Sequence, residues 1–166
     1  MSFSAWLIPE EKHFGQFQEL ISRLAQENDS PQFVPHCTLV GKIMLDSKFS
    51  FDEIKIFCKE TKSITLNLSK LMSEKTLFKS LFIRLIKDKS IVDFQKKIAN
   101  IFIKRESYHF DPHLSLMYKI VPSEKQKKII AGILLPDHIN FNRISIVNTG
   151  ENVDNWNSVF NQKLSE

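Results

Sequence analysis

The sequence predicts an α+β fold built as two related lobes that face each other about an approximate two-fold axis. Three observations predict it: a motif that occurs twice, a similar alternation of strand-like and helix-like segments around each copy, and a length of 166 residues. That length suits one ordinary domain or two small fused lobes. The first copy is Phe33-Val34-Pro35-His36-Cys37-Thr38-Leu39 and the second is Phe110-Asp111-Pro112-His113-Leu114-Ser115-Leu116, so both read Phe-x-Pro-His-x-Ser/Thr-Leu. At ordinary residue frequencies a second copy arises by chance on the order of once in ten thousand such chains. The copies lie too far apart for a solenoid, whose repeats run about 20–50 residues, so two lobes fit better than a stacked array.

The elements follow from periodicity. Ser2–Pro9 is rich in Phe, Trp, Leu and Ile and reads as a strand, while Phe14, Phe17, Leu20, Ile21, Leu24 and Ala25 recur at helical spacing. Asn28-Asp29-Ser30-Pro31 ends that helix. His36–Gly41 reads as a strand, Phe51, Ile54, Phe57 and Cys58 mark a second amphipathic helix, and Ile64, Leu66 and Leu68 alternate as a strand. The second lobe is expected to begin nearby, with a strand over Phe78–Ile86 and a helix on Ile91, Phe94, Ile98, Ile101 and Phe102. His113–Lys119 is the second motif strand, and a lysine-rich helix over Ser123–Leu134 follows it. Strands at Phe141, Ile144 and Ile146 and at Trp156–Phe160 close the chain, and no flexible linker divides it, so residues 1–166 are expected to form one bilobal catalytic domain.

Composition narrows the function classes. The chain is 42% hydrophobic with 14 Phe and only 4 Gly, enough apolar surface for a substantial core and too little freedom for a disordered tail. No apolar run approaches the roughly 20 residues that span a bilayer, and Met1–Glu10 lacks the basic start and apolar middle of a secretion signal. A cytoplasmic protein without a membrane partner is expected, with a monomer as the default. Cys37 and Cys58 are too few for a disulfide framework and are not spaced as a Cys-x-x-Cys pair, so they read as buried thiols. The net charge of +4 comes mostly from scattered lysines, with one dense patch at Lys125, Lys127 and Lys128, and it favours anionic ligands weakly.

The motif has a definite chemistry. Residues i and i+2 of a strand share a face, so His36 projects with Thr38 and His113 with Ser115. Lobes facing each other about a two-fold would present two imidazoles and two hydroxyls across one cleft. A neutral imidazole can take a proton from water while a protonated one gives a proton to a leaving group. A hydroxyl beside each ring can donate to a non-bridging oxygen and hold an anion between them. In-line attack on a phosphodiester needs a base and an acid on opposite sides of phosphorus, and this arrangement supplies both without a metal or other cofactor. The only carboxylate adjacent to either motif is Asp111, which makes no zinc or magnesium set. A single His-x-Thr on a strand is more often a structural histidine; it is the pair that points to catalysis. His13, His109 and His138 read as structural or solvated. The chain carries no Gly-rich phosphate loop, Gly-x-Ser-x-Gly elbow or His-Glu-x-x-His motif.

In order and separation, the paired motifs resemble those of the two-histidine (2H) phosphoesterase superfamily over nearly the whole chain. Ser4-Ala5-Trp6-Leu7-Ile8-Pro9, the approach Ser30-Pro31-x-Phe33-x-Pro35-His36, Phe78-Lys79-Ser80-Leu81-Phe82 and His113-Leu114-Ser115-Leu116-Met117-Tyr118 are similar to the cyclic phosphodiesterase branch of plants and fungi. The resemblance implies antiparallel sheets lining a central cleft with helices outside. It also implies an enzyme that opens nucleoside 2′,3′-cyclic phosphates to 2′-phosphates and ADP-ribose 1″,2″-cyclic phosphate to the 1″-phosphate, disposing of a tRNA-splicing by-product. By position, His36 and His113 become the acid/base pair, and Thr38, Ser115 and Tyr118 the phosphate-binding groups. Trp6 and Phe78 would flank the nucleoside, a role that suits aromatic faces. Gly41 stands where the second motif has Tyr118, so the cleft is not expected to be symmetric. The resemblance favours His113 as the group that activates water and His36 as the acid, although pseudo-symmetry permits either assignment.

Two alternatives stay open. Relatives in the same superfamily act on RNA ends bearing 2′,3′-cyclic phosphate or on 2′–5′ linkages, and the lysine patch permits RNA as a partner. A nucleotide- or RNA-binding protein without catalysis is the other. The short chain favours a small-molecule cyclic phosphate, and both motifs are intact, which favours an enzyme.

Overall fold

The structure is a computed structural model that describes residues 2–45, 48–102 and 109–166. The first half of the chain runs β1 (Phe3–Pro9), α1 (Glu11–Asn28), β2 (Cys37–Ile43), α2 (Asp52–Glu60) and β3 (Ile64–Met72). The second half repeats the order with β4 (Leu81–Leu85), α3 (Lys89–Phe102), β5 (His113–Met117), α4 (Ser123–Ala131) and β6 (His138–Asn148), and β7 (Asn157–Lys163) is appended.

Local sequence explains the boundaries. α1 buries Phe17, Ile21 and Leu24 along one stripe and stops at Asp29, whose φ of 50° is left-handed and whose N–H donates to the Ala25 carbonyl. α3 buries Ile91, Phe94 and Ile98 in the same way. α4 is shorter than the lysine-rich pattern suggests: it ends at Gly132, whose N–H turns back to Ile129 and Ile130, and Leu134 is left exposed. The expected strand over Phe78–Ile86 is also shorter. Leu77–Lys79 forms a 3-10 turn, closed by the Lys79 N–H on the Thr76 carbonyl, and the strand starts only at Leu81. Ser80 fixes the changeover, its hydroxyl donating to the Met117 carbonyl and accepting from the Lys119 N–H.

Among the described residues all pairing between the seven strands is antiparallel, in the order β1-β2-β5-β4-β3-β6-β7, and a β1–β6 pairing closes the first six into a barrel-like sheet. The closure is uneven. β1 and β6 pair from Phe3↔Asn148 to Pro9↔Phe141, whereas β2 and β5 meet at the single pair Cys37↔Leu114. Two well-paired groups result, β2-β1-β6-β7 and β5-β4-β3, joined by that one pair and by Ile64–Asn67 against His138–Phe141. Here the pairing departs from the sequence reading, which placed the Ile64–Leu68 strand in the first lobe. β3 pairs with β4 of the second half, and β6 of the second half pairs with β1 of the first, so the halves exchange their third strands.

Inward residues such as Leu7, Leu39, Ile83, Leu114, Phe141 and Ile144 are fully buried, and α1 and α3 cover the sheet. Cys37 and Cys58 are free and buried, as the composition suggests, and burial pushes both thiols up to about 12. Among the described residues no helix is long and apolar enough to cross a membrane.

Candidate active site

Each motif brings its histidine in by the same local device. Pro35 and Pro112 turn the chain into β2 and β5, so that His36 stands just before one strand and His113 opens the other. The turn places a carbonyl two residues back against each ring: His36 Nδ1 lies 2.6 Å from the Val34 oxygen and His113 Nδ1 lies 2.7 Å from the Asp111 oxygen. A carbonyl only accepts, so Nδ1 carries the proton in both rings and Nε2 is left for chemistry. The Cys37↔Leu114 pair sits between them. Continued one residue either way, antiparallel pairing sets His36 against Ser115 and Thr38 against His113, so each imidazole faces the other motif's hydroxyl.

These groups open onto a cavity of about 570 Å³, within the range of small-molecule sites. Trp6, His36, Thr38, Phe78, His113, Ser115 and Tyr118 all line it, so the fold brings every expected site residue to one place. His13 and His138 lie elsewhere and touch each other edge to face; the buried His13 accepts from the Asn140 N–H.

The aromatic groups differ in their duties. Trp6 is only 4% exposed and lies flat on His36, with ring centroids 3.6 Å apart and an interplanar angle of 9°, so one indole face supports the imidazole. Tyr118 is stacked on Phe33 at 3.8 Å, and burial pushes its phenol well above the usual range. Phe78, 47% exposed on its 3-10 turn, is the accessible ring. Sequence reasoning missed Trp156, which follows a second 3-10 turn (Val153–Asn155) and lines the same cavity. Its ring lies 6.0 Å from Phe78 at 24° and 5.6 Å from Trp6 at 62°, and its Nε1–H donates to the Gly150 carbonyl at 2.9 Å. A lone Trp after the polar stretch Thr149–Asn155 gives no periodic signal, so nothing local marks it as a cleft residue. Lys42 was missed too; it lines the cavity with a left-handed φ of 57°, where β2 carries an irregularity against β1.

The hydroxyls are differently engaged. Ser115 donates to the Phe78 carbonyl at 2.8 Å, while Thr38 has no hydrogen-bond partner among the described residues. Asp111 does not face the chemistry as a ligand. Lys79 donates to its carboxylate at 2.6 Å and Arg84 approaches at 3.6 Å, which holds in place the backbone whose carbonyl orients His113. Burial alone would raise the Asp111 pKa, but the hydrogen bond from Lys79 and the charges of Lys79 and Arg84 outweigh it, and the carboxylate sits below its ordinary range.

Burial dominates both imidazoles. It pushes His36 down to about 4, with His113 adding to the lowering and the Val34 hydrogen bond opposing it. His113 is also lowered by burial, opposed by its Asp111 hydrogen bond and by the charges of Asp111 and Glu74. Both rings are therefore neutral near pH 7. Among the described residues no group of three His, Cys, Asp or Glu side chains could hold a metal ion.

Solved structures share this architecture. E. coli LigT, in a structure with 3′-AMP, superposes with a TM-score of 0.61 over 99% of this chain and 98% of its own, at 9% identity. Kluyveromyces marxianus Usb1 gives 0.51 over 95% and 97%, at 10% identity. By sequence, the cyclic phosphodiesterase of Arabidopsis thaliana is 25% identical over 125 residues, covering 75% of this chain and 69% of that protein. The family described as cyclic phosphodiesterase-like protein matches residues 1–134, a span that contains both histidine motifs. The chain therefore belongs to the cyclic phosphodiesterase-like family of the two-histidine phosphoesterase superfamily and is a phosphodiesterase.

Proposed function

We propose that the chain is a metal-independent cyclic phosphodiesterase. It hydrolyses nucleoside 2′,3′-cyclic phosphates to 2′-phosphates and ADP-ribose 1″,2″-cyclic phosphate to the 1″-phosphate, the latter in disposal of a tRNA-splicing by-product, with both lobes acting as one catalytic unit. The observation that carries the reading is the pair of imidazoles, each with Nδ1 committed to a backbone carbonyl, lining one nucleotide-sized cavity.

In this reading the cyclic phosphate lies between the rings. His113 Nε2 takes a proton from water, the water oxygen bonds to phosphorus, the P–O bond to the ribose 3′-oxygen breaks, and His36 gives that oxygen its proton. Burial keeps His36 neutral near pH 7, so it takes up its proton with the substrate, whose negative charge favours the imidazolium. Thr38 donates its free hydroxyl to one non-bridging oxygen, and Ser115 swings its proton from the Phe78 carbonyl to the other. Tyr118 borders the phosphate, while Trp6, Phe78 and Trp156 enclose the nucleoside. The lysine patch gives little support to an RNA substrate, because Lys125, Lys127 and Lys128 do not line this cavity.

The test is turnover of both cyclic substrates with excess chelator present. Replacing His36 or His113 by Ala is expected to lower kcat by about 10²–10⁴-fold, and near-neutral effects of both would remove the mechanism. The deeper burial of His36 favours a second reading in which it is the base and His113 the acid. A cyclic substrate with sulfur in place of the leaving oxygen separates the two, since a departing thiolate needs no acid. Removal of the acid is rescued on that substrate and removal of the base is not.

A further inference from the structure

Behind the wall made by Trp6 and Trp156 lies a second cavity of about 550 Å³, which shares those two side chains with the catalytic cleft. Its floor is the sheet face where β1, β6 and β7 run side by side: Ile8 stands opposite Arg143, and Ser145 lies between Trp6 and Asn161. Arg143 has no ion-pair partner among the described residues, and its Nε is buried without a hydrogen bond. A buried donor left unmade is costly, and a guanidinium fork matches a phosphate with two parallel N–H bonds. Two amides reach the same space, each with one end spent on the protein: Gln18 donates to the Phe33 carbonyl and Gln32 accepts from Ser22. Among the described residues Asp154 is the one carboxylate on the wall, and it is exposed. The catalytic machinery uses none of these polar groups.

We propose that this cavity binds the second unit of a two-unit substrate. Arg143 holds a phosphate one ribose away from the cyclic phosphate, and the nucleoside beyond it packs on Phe14 and the two indoles, with Gln18 and Gln32 at its polar edge. The proposal rests on the cyclic phosphodiesterase reading and deepens it: the enzyme selects substrates with more than one nucleotide unit. Arg143, Trp156 and Asn161 all lie beyond residues 1–134, the span that the family match covers. The second phosphate has two sources, a diphosphate as in ADP-ribose 1″,2″-cyclic phosphate or a phosphodiester as in a dinucleotide ending in a 2′,3′-cyclic phosphate.

The test compares kcat/KM for each of these with kcat/KM for a nucleoside 2′,3′-cyclic phosphate, in the wild type, Arg143→Gln and Asn161→Glu. Both variants are expected to lower the ratio of two-unit to one-unit substrate about tenfold or more, the first by removing the fork and the second by setting a carboxylate against the phosphate. The arm that falls further identifies the source. An unchanged ratio in both variants overturns the proposal. Should Arg143→Gln fail to fold by far-UV circular dichroism, the exposed Asn161→Glu carries the comparison alone. Should the wild type turn over no cyclic phosphate, the reaction assignment fails by itself, and the cavity is judged by calorimetric titration with ADP. Binding weakened about tenfold in the variants upholds the site, and absence of binding overturns it.

Discussion

The burial of His36 links the candidate site to stability. His36 is pushed down to about 4 by burial, against an ordinary value of 6.5. Above pH 6.5 the ring is neutral in both folded and unfolded chains, and its contribution to stability is complete. As the pH falls from 6.5 towards 4, the unfolded chain binds a proton that the folded one resists, and stability is lost; below about 4 both are protonated and the loss stops. Integrated from pH 7.5 to 5, this amounts to about 2 kcal/mol. Urea unfolding at the two pH values is expected to show a loss in the wild type larger by about that amount than in His36→Gln. Equal losses would mean that burial does not govern this ring. At this scale the sequence was informative for the residues inside the repeated motif and poor outside it. His36, Thr38, His113 and Ser115 were legible because strand alternation dictates their shared faces. Trp156 and Arg143 were not, because their place depends on which strands pair with β6.

Among the elements, the 3-10 turn Leu77–Lys79 does more for the site than its length suggests. It exposes Phe78 to the cleft, presents the Phe78 carbonyl to Ser115, and ends on the lysine that clamps Asp111. Asp111 in turn supplies the carbonyl that orients His113, and its negative charge favours the imidazolium. Asp111→Asn is therefore expected to lower kcat by about three- to a hundredfold through misplacement of the ring. It is also expected to move the acid limb of the pH profile downward, because His113 loses a charge that held its pKa up. A fall in kcat with no shift of that limb would reduce Asp111 to a structural role. The turn was illegible because Leu77-Phe78 and Leu81-Phe82-Ile83 read as one apolar strand; what divides them is the Ser80 hydroxyl bridging to Met117 and Lys119, a contact of long sequence range. The helices were far easier, since α1 and α3 each carry a complete apolar stripe.

For the whole molecule, the exchange of β3 and β6 makes each half dependent on the other. Residues 1–75 contain β3 without its β4 partner, and residues 76–166 contain β6 without β1. Each piece alone would expose unpaired strand edges and half a core, so neither is expected to fold, while the two expressed together are expected to reassemble with activity. A cooperative melt of either fragment alone would show that the halves are independent. Two related lobes were visible in the repeated motif, but their interleaving was not, since the alternation of Ile64, Leu66 and Leu68 says that a strand exists and not which neighbour it takes.

In topological terms the molecule is a strand-swapped dimer carried on a single chain. In a true dimer of identical halves the two-fold would be enforced, and the two imidazoles would have to share one environment and one proton affinity. Covalent continuity lifts that requirement. Each half diverges on its own, with Gly41 where the other has Tyr118, a tryptophan face under one histidine and a phenylalanine edge beside the other. A reaction that needs one proton donor and one proton acceptor is better served by such a broken symmetry than by two equal partners.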